Sequence, residues 1–199
     1  MRLWTAIKMT FVLTVLTGII YPVLITVVSE TIFPYQAQGS MISQNGRVLG
    51  SELIGQTFNA PNYFHGRPSA AGDKGYDATS SGGSNLGPTN KTLIETTQHR
   101  LKEVLEQNPE ITAADVPISQ ITASGSGLDP EISLAGAQIQ ASRVAKARGM
   151  SDEVVLDLIR THTRHRWAGV LGESGVNVLE LNLALDQLDA TPRTAAKAN

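Results

Sequence analysis

The feature that most constrains this chain is an uncharged apolar run near its start, MTFVLTVLTGIIYPVLITVV, from Met9 to Val28. A hydrocarbon core about 30 Å thick needs about 20 apolar residues of helix, at a rise of about 1.5 Å each. The run meets this requirement. Its apolar side chains also point in nearly every direction around the axis, whereas a helix on a soluble core keeps a polar face. We therefore predict a single transmembrane helix.

A cleaved export signal is the main alternative to a permanent anchor. Such a signal has a shorter apolar run, closely followed by small residues at the cleavage site. Here the small residues Ala37 and Gly39 come well after the run, so we expect the anchor to be retained. Arg2, Lys8 and the amino terminus precede the run and Glu30 follows it. The positive-inside tendency then places the N-terminus in the cytoplasm and the remaining domain outside it.

One face of the predicted helix carries small residues, because Thr10, Thr14 and Gly18 recur every four residues and Pro22 continues the row. Small groups at this spacing let a second helix approach closely in lipid. Threonine hydroxyls also bond to the backbone of their own helix. The sequence leaves both interpretations of this face open.

Composition narrows the range of partners. The formal net charge is -2 and the sequence pI is about 6.1, so no basic excess is present to neutralise phosphates, and we expect no nucleic acid partner. The chain has no cysteine, which excludes disulfides and thiolate metal sites. We predict three segments: a membrane anchor with a short cytoplasmic start over residues 1–34, one domain over 35–190, and a flexible tail over 191–199.

The first part of the domain shows a turn signal and then a long loop. Asn45-Gly46 between two short apolar runs predicts a β-hairpin from about Ser40 to Phe58, because both turn residues tolerate positive φ. Residues 59–90 are rich in Gly, Ser, Asn and Asp and show no periodicity. We predict an ordered surface loop, pinned to the domain by three aromatic side chains: Tyr63, Phe64 and Tyr76.

A helical pattern follows the loop. From Thr89 the pattern becomes that of an amphipathic helix, with Thr92 and Glu95 forming a capping box and Pro109 ending it. The stretch VPISQITASGSGLDP, residues 116–130, resembles a short strand that runs into a glycine turn.

The last part of the domain is predicted to be mostly helical. Asp129 is expected to cap a helix that Gly149 closes, and Ser151 to cap another. A short strand over 176–178 is then followed by a helix, since Leu, Ala and Glu favour helix over strand. The fold class is therefore α+β, with one N-terminal transmembrane helix and one mixed extracytoplasmic domain.

Motifs for catalysis are missing from the sequence. GSNLGPTNK places Pro88 after the second glycine, which does not fit a phosphate-binding P-loop. No GxSxG nucleophile motif is present. The string GDKGYD lacks the Thr-Gly-Thr continuation of a phosphorylated P-type ATPase aspartate. We therefore predict that this chain has no catalytic centre and is not an enzyme.

Two groups of residues are weaker candidates for ligand binding. His162 and His165 lie three residues apart, but the neighbouring arginines would repel a metal ion. A cationic helix end is the alternative interpretation of these histidines. The second group is a glycine turn followed by a helix whose N-terminal amides suit an anion, with three side chains on one side: Gln140, Arg143 and Lys146. The alternative interpretation is that the residues before this helix only cap its N-terminus and bind no anion.

Several longer strings carry a resemblance to a known family: YFHGRPSA, GGSNLGPTN, SGSGLDPEIS, QASRVAKARG and VNVLELNLALD. With the short charged start and the single span, they resemble the C subunit of the Kdp-type potassium-transporting P-type ATPase over nearly the whole chain. The sequence departs from the family at Ser174-Gly175, where Pro-Arg or a similar pair is usual.

The resemblance implies a bacterial inner-membrane protein that is a non-catalytic accessory subunit of an ATP-driven, high-affinity potassium uptake complex. The implied partners are a channel-like potassium-selective subunit, an ATP-hydrolysing P-type subunit and a small single-span subunit, in contact with membrane lipid. No tightly bound cofactor and no metal site are implied.

The family is described as a catalytic chaperone that raises the ATP affinity of the hydrolysing subunit, with a glutamine after the glycine turn as nucleotide contact. By position that residue is Gln140, and ATP is the one cofactor this role implies. The charge asymmetry, however, places Gln140 outside the cytoplasm, where ATP is scarce. Two hypotheses follow: a domain that covers the outer mouth of the potassium-selective subunit, or a nucleotide-binding chaperone domain on the cytoplasmic side.

Overall fold

A computed structural model describes residues 2–190, and in it the apolar run lies in one continuous helix from Arg2 to Ile32. This helix comprises α1 (Arg2–Val15), a π-helical segment (Leu16–Ile20) and α2 (Tyr21–Ile32). No other described residue buries it, and it is long and apolar enough to cross a membrane. The prediction of one such helix is confirmed.

The π-helical segment has an identifiable cause in Pro22. In an α-helix the residue at this position would donate its N–H to the carbonyl of Gly18, but proline has no N–H and its ring collides with that carbonyl. A π turn widens the helix locally and relieves the collision; accordingly the Tyr21 N–H bonds to the Leu16 carbonyl, five residues back.

A β-hairpin follows the short helix α3 (Pro34–Ala37). Strands β1 (Met41–Gln44) and β2 (Arg47–Ser51) pair in antiparallel fashion. Between them, Asn45 and Gly46 have φ values of 53° and 74°, as a type I′ turn requires. The predicted hairpin is confirmed, but its second strand ends at residue 51 and does not reach Phe58.

The chain divides into two compact units between Ser51 and Glu52, so the β-hairpin groups with the N-terminal helix. The segments 1–34 and 35–190 remain predictions. The predicted tail, 191–199, lies outside the described residues.

The second unit begins with a long ordered loop. All of residues 52–90 are described, and none of them lies in a helix or strand. The aromatic side chains hold this loop as predicted: Phe64 is fully buried, the Tyr63 hydroxyl donates to Asp186 at 3.0 Å, and the Tyr76 hydroxyl donates to the Arg67 carbonyl at 2.6 Å.

Helix α4 (Lys91–Gln107) ends just before Pro109, as predicted. Its predicted capping box is wrong, because the helix begins earlier than Thr92. The side chain of Asn90 is the N-cap and accepts a hydrogen bond from the Thr92 N–H at 2.8 Å.

The strand predicted in VPISQ is wrong, because 3₁₀ turns occupy Ala113–Asp115 and Ile118–Gln120. The helix predicted to begin after Asp129 is also displaced. Residues 131–133 form β3 (Glu131–Ser133), which pairs with a strand far along the chain, and the cap of the following helix is Ser133.

The remaining elements are α5 (Leu134–Gln138), α6 (Ala141–Arg148), α7 (Asp152–Thr161), β4 (Thr163–Arg164), β5 (Gly175–Asn177) and α8 (Val178–Ala190). The sheet is antiparallel in the order β3-β5-β4. Gly149 closes α6 with φ of 60°, as predicted. Ser151 occupies the predicted N-cap position of α7, but its side chain makes no capping hydrogen bond. The predicted strand before the last helix is confirmed within one residue.

The core of the second unit lies among the sheet, helices α5 to α8 and the loop. Its largest apolar members are almost fully buried: Phe64, Ile132, Val144, Val155, Ile159, Val176, Leu181 and Leu185. The α+β class is therefore confirmed. Because the loop contributes Phe64 to this core, its neighbouring backbone is fixed against the helices.

Candidate functional site

Two side-chain amides hold the loop at Phe64 and His65. Asn182 of α8 accepts a hydrogen bond from the Phe64 N–H at 2.8 Å and donates to the Phe64 carbonyl at 3.0 Å. Gln140, between α5 and α6, accepts from the His65 N–H at 2.8 Å and donates to the His65 carbonyl at 3.2 Å. Each side-chain amide thus bonds to both the N–H and the carbonyl of one residue, as a residue of a neighbouring antiparallel strand would. Gln140 and Asn182 are called the amide clamp below.

Gln140 is 3% exposed, and its amide makes further contacts inside the protein. Its Oε1 also accepts a hydrogen bond from Arg143 at 2.8 Å. Its Nε2 also donates to the Gly136 carbonyl at 3.0 Å and lies 3.4 Å from Oε1 of Gln120. The amide's acceptor and donors are thus engaged by protein groups, as buried polar atoms require. Gln140 therefore connects the loop to α5 and α6.

A polar cavity of about 270 Å³ lies beside the clamp, with Gln140 in its wall. The charged side chains that line it are three basic and one acidic: Arg67, Lys74, Arg100 and Glu103. The lining therefore carries an excess of positive charge, part of which is neutralised by the ion pair of Arg67 with Asp129 at 2.8 Å. These basic side chains are the ones that would face an anionic group in the cavity.

Burial shifts the pKa values of groups around this cavity. Burial, and secondarily the charge of Arg143, lowers the pKa of His65 below its ordinary value of 6.5, so the ring is neutral at pH 7. Burial lowers the pKa of Arg143 to about 10 and lowers that of Arg100 as well. Both guanidinium groups remain charged at pH 7, and of the two, Arg100 contributes its positive charge to the cavity lining.

The three side chains predicted to share an anion site do not converge on one. Gln140 and Arg143 bond to each other and to the loop, since Arg143 donates to the Tyr63 carbonyl at 2.9 Å. Lys146 instead forms an ion pair with Glu110. Strand β3 separates the glycine turn from the next helix, whose Gly136 N–H is capped by its own N-cap side chain. The cap of this helix is therefore Ser133 and not Asp129, and its Gly136 N–H already has a partner within the protein.

The predicted histidine pair lies at the end of α7. His162 is the C-cap residue, and its Nδ1 lies 2.9 Å from the Leu158 carbonyl in the last turn. His165 is exposed beyond β4. His162 therefore lies at the C-terminus of α7, the position that the second interpretation requires.

The predicted helix-packing face lies on the membrane helix. Thr10, Thr14 and Gly18 are all exposed, and a Cβ added at Gly18 would meet only Thr14, at 4.0 Å, among the described atoms. Thr17 and Thr31, which are not in the row, donate to carbonyls four residues back. The face is open, and its role in helix packing remains a prediction.

Arg148 and Asn182 were not predicted as site residues from the sequence. The Arg148 side chain is 2% exposed, stacks 4.8 Å above the Tyr63 ring and pairs with Asp186 at 2.9 Å and Asp189 at 2.5 Å. A signal for Asn182 was present, because this asparagine interrupts the apolar face of VLELNLALDQL. A polar residue at such a position needs a buried partner.

Comparison with known proteins assigns the chain to a family. A family model described as "K+-transporting ATPase, c chain" (KdpC) matches residues 3–187. The potassium-transporting ATPase KdpC subunit of Gemmatimonas aurantiaca is 54% identical over 186 residues, which cover 94% of this chain and 92% of that protein.

Two further relatives agree in name and coverage. The KdpC subunit of Koribacter versatilis is 48% identical over 96% of this chain and 97% of its own length. That of Mycobacterium tuberculosis is 50% identical over 94% of this chain and 98% of its own length. The chain therefore belongs to the KdpC family, the c chains of K+-transporting ATPases.

Proposed function

We propose that this chain is a non-catalytic accessory subunit of an ATP-driven, high-affinity potassium uptake complex, in which it stabilises the assembly and supports ATP-coupled transport. The observation that carries this proposal is the family match over residues 3–187, together with relatives of nearly equal length that are named as subunits of a potassium-transporting ATPase. The missing P-loop and GxSxG motifs support a role without catalysis of its own.

The proposed location is the bacterial cell membrane, with a single span. The continuous helix from Arg2 to Ile32 supplies that span. The basic residues Arg2 and Lys8 before it, and Glu30 near its end, favour a cytoplasmic N-terminus and an extracytoplasmic second unit.

The proposed partners are the potassium-selective channel-like subunit, the ATP-hydrolysing P-type subunit and a small single-span subunit, with lipid around the helix. In this assembly Thr10, Thr14 and Gly18 pack against a helix of another subunit. The open space at Gly18 supports this contact, because packing at small residues drives helix association in lipid. No nucleic acid takes part.

We propose that the second unit covers the outer mouth of the potassium-selective subunit and that any effect on ATP affinity is transmitted through the assembly. The contacts of Gln140 favour this over direct nucleotide binding. A nucleotide that bonded to this amide would have to displace the His65 backbone or Arg143, and would break the hydrogen bonds that those groups make to Gln140.

The experiment that tests the proposed function compares the purified ATPase complex with and without this chain. We expect potassium-stimulated ATP hydrolysis to be lost, or severely reduced, in the complex that lacks it, and to return when the full chain is added. Undiminished potassium-stimulated hydrolysis without the chain would refute the accessory role. The cytoplasmic nucleotide-binding alternative instead predicts that a photoreactive ATP analogue labels the full chain and that Gln140→Ala reduces this labelling.

A further inference from the structure

The turn at residues 166–172 presents a contiguous apolar surface. Trp167 is 74% exposed, Val170 is 73% exposed and Leu171 is 58% exposed, so no described part of the chain covers them. Single exposed apolar side chains are ordinary on protein surfaces, whereas contiguous ones indicate an interaction site. This segment is called the 166–172 turn below.

The turn has a defined shape of its own. The Trp167 N–H donates to the Leu171 carbonyl at 2.9 Å, and the Leu171 N–H donates to the Trp167 carbonyl at 3.0 Å. Ala168 and Gly169 have positive φ values of 50° and 77°, and this conformation is unfavourable for the alanine. The backbone that carries the exposed side chains is thus held in a fixed arrangement, which reduces the backbone entropy lost when a partner binds.

Acidic groups surround the base of the turn. Arg164 pairs with Glu180 at 2.8 Å and with both Glu52 and Glu131 at 3.5 Å. Three carboxylates therefore meet one guanidinium group, and every member is partly exposed. Because Arg164 and Trp167 are three residues apart, their Cα atoms lie within about 11 Å of each other.

The charged residues closest to the apolar side chains do not change the net negative charge of this region. Arg166 is the first residue of the turn and Glu173 follows its last; both are exposed, and they have opposite charges. The surface as a whole therefore consists of the apolar side chains of the 166–172 turn beside a cluster with net negative charge. It complements an apolar pocket with a basic rim, and an anionic lipid surface would repel it.

We propose that the 166–172 turn inserts into an apolar pocket with a basic rim on another protein subunit of the potassium-transporting complex. This inference rests on the proposed function, because it names the surface through which the accessory subunit docks. Trp167 is the central anchor, since tryptophan is enriched among the residues that dominate binding energy.

Photocrosslinking in the assembled complex tests the proposal. The photoreactive amino acid p-benzoylphenylalanine replaces Trp167 in the full chain, which is expressed together with the other subunits and irradiated in native membranes. The matched control carries it at Ile118, which is 68% exposed in the same unit but outside the turn. We expect a covalent adduct between position 167 and a partner subunit, in at least tenfold higher yield than from position 118.

A protein adduct that is no stronger at 167 than at 118, an adduct with phospholipid alone, or no adduct at 167 would each overturn the proposal.

A second variant, Trp167→Ala with Val170→Ala, changes only exposed side chains. We expect it to reduce potassium-stimulated ATP hydrolysis at least tenfold at limiting amounts of added chain, with recovery at excess chain. If hydrolysis depended on the amount of added variant as it does on the amount of the parent chain, docking through the turn would be contradicted.

If removal of the whole chain abolishes hydrolysis but position 167 yields no protein adduct, this inference fails while the proposed function stands. Undiminished hydrolysis without the chain refutes the proposed function itself.

Discussion

Replacement of Gln140 by leucine tests whether this residue is a structural connector. Leucine has a similar volume but no hydrogen-bonding group, so Gln140→Leu leaves the N–H and carbonyl of His65 without their side-chain partner and removes one acceptor of Arg143. These groups are partly or fully buried in the folded protein. The variant should therefore be less stable in the absence of any nucleotide.

The magnitude follows from the contacts. Loss of the partners of two backbone groups and of one charge-assisted hydrogen bond costs about 4 kcal/mol in total. Burial of the leucine side chain offsets about 1 kcal/mol of this. We expect the free energy of unfolding to fall by about 3 kcal/mol, which for a chain of this size lowers Tm by about 6–12 °C.

The assay is thermal unfolding of the full chain in detergent, followed by near-ultraviolet circular dichroism, which reports the packing of aromatic side chains. Gln138→Leu is the matched control, because Gln138 is exposed on α5, and we expect its Tm to lie within about 2 °C of the parent. Equal Tm values for Gln140→Leu and the parent would refute the reasoning. So would a parent Tm that rises with ATP concentration while that of Gln140→Leu does not, because ATP would then bind through this residue.

Three further predictions concern other parts of the chain. Asn182→Leu removes both hydrogen bonds to the backbone of Phe64 and should lower the free energy of unfolding by about 2–4 kcal/mol, measured in the same way; an unchanged Tm would contradict the clamp. The pKa of His65 is lowered by burial, so the unfolded state binds more protons just below pH 6.5 and stability falls as the pH drops through that window. His65→Gln should therefore lose less stability than the parent between pH 7 and pH 5, and equal losses would count against this cause. Gly18→Leu should leave the Tm of the isolated chain unchanged but reduce its recovery with the membrane-embedded subunits severalfold, and full recovery would argue against the packing face.

Features set by local chemistry were predictable from the sequence. The membrane helix follows from composition, because an uncharged run of this length has few other stable environments. The hairpin follows from Asn45-Gly46, whose positive φ values suit a tight turn. The order of the loop was indicated by its aromatic residues, which have little reason to lie in a solvated linker.

Features set by distant pairing were not predictable. Strand β3 has only three residues and exists because it pairs with β5, about forty residues later, whereas Asp129-Pro130 locally favours a helix start. The amide clamp joins the loop to residues 75 and 118 positions further along the chain. A single sequence shows that a polar residue lies on an apolar face, but not which backbone group it meets.

The most direct test of the account is to determine on which side of the membrane the second unit lies. Ile118→Cys supplies a single thiol, because the chain has no cysteine and Ile118 is exposed. The measurement is labelling of this thiol by a membrane-impermeant maleimide in intact spheroplasts, compared with lysed ones. Equal labelling in both is the result that the account predicts, and labelling only after lysis would contradict it.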